Sequence, residues 1–213
     1  MNSIPEISPR STYRHGDLRE ALVSAGVQMA GAGGPDAVVV REATRQAGVS
    51  PNAAYRHFAD RQALLVAVAA VALGLTADRI NREIGTMPVL EDSQQAARNQ
   101  LRAVGQGYVA FAREEPGLFR TAFSVPENLN MANDPSEAGS AGRTPFQLVG
   151  DALDALVSTG AISPERRDNA EFLAWSAVHG LAVLFIDGPL RGLSAEEKDA
   201  ATGRLLDMVE RGL

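Results

Sequence analysis

The sequence predicts an all-α protein. Three observations lead there. No segment alternates apolar and polar residues for long enough to make a strand, and the one β-branched run, Val38-Val39-Val40, is three residues long. Apolar residues recur instead every three or four positions over most of the chain. Glycine and proline clusters separate those stretches, where helices stop and start.

The elements follow in order. Leu18, Leu22, Ala25 and Met29 form the stripe of a first helix, started by Asp17 and stopped by Gly31, Gly33 and Gly34. Val40 to Phe58 reads as a short helix, a tight turn and a second short helix of about two turns. Gly48 supplies the positive φ of the turn, and Val49 is the apolar staple beneath it. Ser50 suits the N-cap and Pro51 the first helical position, while Tyr55 and Phe58 give the second helix its apolar contacts. Asp60 caps a longer helix with Leu64, Leu65, Val68, Val71 and Leu75 on one side, closed by Pro88. Further helices are expected at 94–114, 117–124, 145–158, 165–187 and 194–211. Their bounds are Glu114-Glu115-Pro116-Gly117, Ser163-Pro164 and Gly188-Pro189. The polar stretch 127–144 is expected to be a mobile loop. The chain divides into a flexible tail (1–12), a three-helix helix-turn-helix unit (13–60) and a larger helical domain (61–213).

Composition narrows the function. The 213 residues are 45% hydrophobic and 22% charged, as in a folded globular chain. With no cysteine, disulfides, thiolate nucleophiles and cysteine-ligated zinc are excluded, and three scattered histidines (15, 57 and 179) suggest no metal cluster. Met1 to Thr12 has no apolar core of a signal peptide. The longest apolar run, Leu64 to Leu75, falls short of the roughly 20 residues a bilayer span needs. A cytoplasmic location without membrane attachment is expected. No cofactor is expected either, because no Walker loop, dinucleotide fingerprint or Gly-x-Ser-x-Gly occurs. Glu114/Glu115 and Glu196/Glu197 are adjacent, so their carboxylates diverge on a helix and make no acid–base pair. An enzyme is not expected.

The net charge of −6 argues against indiscriminate nucleic-acid binding, but it is uneven. Residues 1–61 carry a net +1 and the remainder −7, which marks the N-terminal part as the likelier anion-binding surface. There the second short helix begins with small or polar residues, Asn52 and Ala53, and can enter a major groove without steric conflict.

Residues 14–65 resemble the N-terminal domain of the tetracycline-repressor (TetR) family of bacterial transcription regulators. The resemblance rests on Gly16-Asp17-Leu18-Arg19-Glu20-Ala21-Leu22, on Ala47-Gly48-Val49-Ser50, and on Tyr55-Arg56-His57-Phe58 followed by Leu64-Leu65. Ala43, Thr44 and Arg61 depart from the family pattern; the first two loosen the packing expected between the short helices, and Arg61 keeps a positive charge. Over residues 98–190, Glu115-Pro116-Gly117-Leu118-Phe119-Arg120 and Ala174-Trp175-Ser176-Ala177-Val178-His179-Gly180-Leu181 resemble the ligand-binding domain of a subgroup marked by Trp-x-x-x-His-Gly.

The resemblance implies double-stranded operator DNA as a partner. It turns the Tyr55 hydroxyl toward the DNA backbone, and within this motif His57 is expected to contact phosphate. Arg41, Thr44, Arg56 and Arg61 are candidates for backbone contacts, against the alternative of a solvated helix face. Asn52 is the candidate base reader, because an amide bonds adenine N6 and N7 together, and Ala53 can touch a thymine methyl. Ser50 and Pro51 complete the candidate DNA-binding edge. Tyr108, Phe111, Phe119, Phe123, Trp175 and His179, with Phe185, are candidates for the pocket of a small hydrophobic effector, against the alternative of plain core. Trp175 and His179, four apart, share a helix face; the histidine either orients a ligand or satisfies a backbone carbonyl.

One short recognition helix covers too little surface for specificity, so a homodimer reading a palindrome, with half-sites about 34 Å or more apart, is expected. Its interface is expected on 165–187 and 194–211, through Ala177, Leu181, Leu184, Leu205, Leu206 and Val209. The implied function is a repressor released from its operator by the effector, through the helix that begins near Asp60. The alternative is a helical adaptor that binds a protein partner without DNA.

Overall fold

The computed structural model describes residues 15–125 and 133–213, with side chains from Leu18 onward. The tail 1–12, the Asp17 side chain and the 127–132 part of the polar stretch lie outside the described residues. Among the described residues every regular element is helical.

Helix α1 spans His15–Gly33. Gly34 ends it with φ +73°, donating its N–H to the Ala30 carbonyl at 2.7 Å. A 3-10 turn, Pro35–Ala37, follows. The β-branched triplet makes no strand: Val38 is buried, Val39 is extended ahead of α2, and Val40 is the first residue of α2 (Val40–Gln46). Gly48 then takes φ +69°, and a Cβ there would meet nothing within 4 Å. Backbone conformation, not crowding, is what demands glycine.

Helix α3 is Pro51–Ala54, one turn where two were expected. The chain instead turns back, with the His57 and Phe58 N–H groups both 2.9 Å from the Ala54 carbonyl. Phe58 thereby reaches the core, where the Arg19 guanidinium of α1 lies 5.3 Å over its ring. Ser50 does hold the N-cap position, but its side chain makes no capping bond; its carbonyl accepts from Ala53 N at 3.0 Å. Tyr55 is not an apolar support either. It is 56% exposed, and Ala54 and Phe58 anchor the segment.

Helix α4 (Arg61–Gly85) starts where Asp60 accepts from Ala63 N at 2.8 Å. It buries Leu64, Leu65 and Val68, then Ala72, Leu73, Thr76, Ala77 and Ile80, whereas Val71, expected on that stripe, lies on the exposed side. The drift follows from a change of partners: α4 packs on α1 at its start and on α5, α6 and α7 farther along. By length and composition α4 could cross a membrane, but over half of that apolar stretch is buried inside the protein, as in a core helix.

Helices α5 (Ser93–Glu114), α6 (Pro116–Ala122), α7 (Pro145–Ser158), α8 (Ala170–Ile186) and α9 (Ala195–Gly212) complete the bundle. Asp92 caps α5, and reciprocal capping boxes, Thr144/Gln147 and Ser194/Glu197, open α7 and α9. Helix α8 starts five residues later than expected. Pro164–Arg166 form a separate 3-10 turn, and Asn169 takes a left-handed φ of +58° before the helix begins.

Glycines set the closest crossings. A Cβ on Gly107 would lie 2.6 Å from the Ile80 Cα, and one on Gly26 2.5 Å from a Val68 methyl. A Cβ on Gly117 would lie 2.3 Å from the Ala30 carbonyl oxygen, so α6 seats directly on the end of α1. One continuous apolar core runs from Leu22 in α1 to Leu206 in α9.

Candidate functional site

Two sites emerge, one at each end of α4. The first is the edge after the Gly48 turn. Ser50, Pro51, Asn52, Tyr55 and Arg56 are exposed there, Ala53 and His57 are half-buried, and Arg41 projects from α2. Neither Arg41 nor Arg56 has an ion-pair partner among the described residues. Arg45 does: its Nε and Nη2 donate to Glu42 at 2.9 and 2.6 Å. With a further bond from Gln46, these hold the Glu42 carboxyl down at about 2.

Two candidates have other work. Thr44 is 2% exposed and its hydroxyl donates to the Arg41 carbonyl at 2.7 Å, so it packs α2 instead of facing outward. Arg61 donates to the Val38 carbonyl at 2.8 Å and the Pro35 carbonyl at 2.5 Å, tying the first turn of α4 to the turn after α1. These bonds hold the helix-turn-helix unit on α4.

The second site is a cavity of about 210 Å³ enclosed by α4 to α9. Leu73 and Ile80 of α4, Tyr108 of α5, Phe123 after α6, Phe146 and Val149 of α7, and Trp175 of α8 line it. Of the residues expected there, Tyr108, Phe123 and Trp175 reach the wall. Phe111 and Phe185 are core, the latter beneath the Lys198 ammonium at 5.9 Å. Phe119 and His179 stand behind the wall, stacked with ring centroids 5.5 Å apart and planes at 29°.

A hydrogen-bonded chain backs that wall. The Trp175 indole N–H donates to the Tyr108 hydroxyl at 3.1 Å, and that hydroxyl lies 2.8 Å from His179 Nδ1. An indole only donates, so the tyrosine accepts from Trp175, and its hydroxyl pairs with Nδ1 in the direction set by the imidazole tautomer. Burial lowers the His179 pKa and raises that of the Tyr108 phenol, so the chain is uncharged at neutral pH. The Nδ1 partner is a phenol, not the backbone carbonyl weighed from the sequence.

The sequence reading missed Phe146 and Glu137. Glu137 closes a 3-10 turn, Pro135–Glu137, within the stretch expected to be a mobile loop. The described part of that stretch is tied down: Asp78 accepts from the Ser140 N–H and hydroxyl at 2.7 and 2.8 Å. The signal was present in Asp134-Pro135-Ser136, an N-cap followed by proline; Asp134 accepts from Ser136 N at 2.8 Å.

Two residues of the expected dimer face turn inward. Leu206 is buried and it and Val209 line the cavity. Leu184 is exposed as expected, and Phe172, Leu173 and Val183 of α8 and Met208 of α9 join it as the exposed large apolar residues of these two helices.

Family matches cover both parts of the chain. A family profile described as "Bacterial regulatory proteins, tetR family" matches residues 22–68, and one described as "Tetracyclin repressor-like, C-terminal domain" matches residues 101–209. No curated protein gives a significant match. The structure is similar to that of a protein of unknown function from Rhodococcus sp. RHA1: 26% identity, 96% of this chain and 99% of that one covered, TM-score 0.69. It shares its fold with a regulator, FadR, from Bacillus subtilis in complex with stearoyl-CoA (15% identity, 91% and 98% covered, TM-score 0.64). The same holds for a TetR variant from Acinetobacter baumannii AYE in complex with minocycline (17% identity, 94% and 96% covered, TM-score 0.58).

Proposed function

The chain belongs to the tetR family of bacterial regulatory proteins, ligand-responsive DNA-binding regulators without catalytic activity, and we propose that this member is a repressor released by a small hydrophobic effector. Its two units divide at residues 60 and 61, where Asp60 caps α4. The DNA-binding edge is Ser50, Pro51, Asn52, Ala53, Tyr55, Arg56 and His57, with Arg41 from α2. Arg61 and Thr44 serve as its support. The effector occupies the cavity beside Tyr108, Phe123 and Trp175, and the Trp175-x-x-x-His179-Gly180 signature of the subgroup supplies the polar backing of its wall.

One observation carries this reading. Helix α4 presents Leu64, Leu65 and Val68 to the DNA-binding unit and Leu73 and Ile80 to the cavity, so one rigid body touches both sites. A second contact runs in parallel, from Phe123 at the end of α6 to Gly117 seated on the end of α1. An effector that prefers the α4 and α6 positions of the DNA-free form weakens operator binding, and DNA weakens effector binding by the same factor. Two copies join through the exposed apolar face of α8 and α9 and place two recognition edges on a palindrome. A repressor acts where the DNA is, which supports a cytoplasmic location.

The test is a mobility-shift assay on DNA flanking the protein's own gene, with and without a panel of hydrophobic compounds. Salt-sensitive binding that one compound releases is expected, since phosphate contacts displace counterions. Binding that no compound alters removes the effector; absence of binding to duplex DNA favours the adaptor reading.

A further inference from the structure

Helix α6 is held at both of its ends. At its start Gly117 seats on the Ala30 and Gly31 carbonyls of α1. In its last turn the Arg120 guanidinium grips Asp187 at the end of α8: Nε donates to Oδ1 and Oδ2 at 2.9 and 3.0 Å, and Nη2 donates to Oδ1 at 2.7 Å. Local electrostatics do not favour Asp187 where it stands. It is the C-cap of α8, where unpaired carbonyls carry partial negative charge and a carboxylate is disfavoured. Arg120 offsets this and holds the Asp187 carboxyl below its ordinary range, with a smaller pull from Arg191. The pair adds little to folding, because both side chains are more than a third exposed. Its geometry is nonetheless specific, a planar fork on a carboxylate.

Each partner belongs to a different body. The last turn of α8 carries Val183 and Leu184 of the exposed apolar face, and the Asp187 N–H donates to the Val183 carbonyl at 2.9 Å. A Cβ on Gly188 would lie 2.7 Å from the Leu184 Cα, so the chain leaves α8 folded closely against that turn. Asp187 therefore moves with the apolar face. Arg120 moves with α6, whose Leu118 and Phe119 are buried in the core and whose first turn rests on α1. We infer that Arg120 and Asp187 are positioning residues for operator recognition: their ion pair fixes α6 between the dimer face and α1, and so sets how the two recognition edges of a dimer are spaced. This rests on the paired-regulator reading above and adds a route from dimer face to DNA edge that does not pass through the cavity.

The full chain is titrated by mobility shift with DNA flanking its own gene and with an unrelated duplex of the same length. Arg120→Ala and Asp187→Asn are each expected to weaken binding to the flanking DNA about tenfold, and to leave the unrelated duplex, which demands no fixed spacing, unchanged. Both variants should remain dimers by sedimentation and melt within about 4 °C of the unaltered chain. The double variant Arg120→Asp/Asp187→Arg, which rebuilds the pair with its charges exchanged, should recover most of the lost affinity. The inference is overturned if either single variant binds the flanking DNA as tightly as the unaltered chain, if both duplexes weaken alike, or if the exchanged pair fails to restore affinity. In those cases an unaltered chain that still prefers the flanking DNA leaves the regulator reading standing. If the unaltered chain does not distinguish the two duplexes, the regulator reading fails and takes the inference with it.

Discussion

Asn52 stands exposed on the first turn of α3, where its amide is free to meet a base edge. Asn52→Ala should cost about 1–3 kcal/mol of operator binding and flatten the difference between operator variants at one position, measured by titrating a set of single-base variants. Tyr55 and His57 stand on the same edge, but phosphate contacts carry no sequence information. Tyr55→Phe and His57→Ala should therefore weaken every duplex by a similar factor and leave the ranking of variants intact. His179 gives a pH signature. Burial holds it neutral in the folded protein, with a pKa below the ordinary value of 6.5. On acidification the unfolded chain takes up the proton first, so this contribution to stability is complete above 6.5 and is lost as pH falls through the lowered folded pKa. Melting temperature should drop on that interval, and His179→Gln, which still offers Tyr108 an acceptor, should flatten the drop.

At the level of elements, most of the helices were legible in their punctuation. Asp60 starts α4, Gly34 stops α1, and Gly48 turns with the positive φ its position required. Helix α3 was misjudged in length because propensity favours continuing through Tyr55, while burial of Phe58 against Arg19 ends the helix first. Val71 was misplaced for a related reason: periodicity gives a stripe, but the helices packed against α4 decide which edge of that stripe is covered. The α1–α6 seam has no sequence signature beyond Pro116-Gly117. There Gly117→Ala would drive a methyl into the Ala30 and Gly31 carbonyls, which are backbone and cannot rotate away. A loss of about 1–3 kcal/mol in denaturant unfolding is expected. Operator affinity should fall with it, since α1 supports the recognition edge.

At the scale of the molecule, the apolar face of α8 is uncovered among the described residues. Leu173 is 65% exposed, Met208 59%, and Val183 and Leu184 nearly 40% each. Burying several such side chains, each worth about 1.5–3 kcal/mol, is the drive to pair two copies. Leu184→Glu places a charge in that face and should yield a monomer by sedimentation equilibrium, with operator binding reduced far more than the fold's melting temperature. The cavity at the other side of α8 should survive the change, so Trp175 emission provides the control.

The order of helices, the turn at Gly48 and the exposed edge that follows it are local facts, set by capping, glycine conformation and the spacing of neighbouring residues, and these the chain carries in its letters. The partner of His179, the removal of Phe111 and Phe119 from the cavity wall, and the arrival of Glu137 in the same wall as rings some ten to forty positions away in the chain were decided only by packing. Apolar spacing states that a side chain is buried; which void it borders depends on how helices distant in sequence cross, and here glycines at 107 and 117 let them cross closely beside the ring-lined cavity.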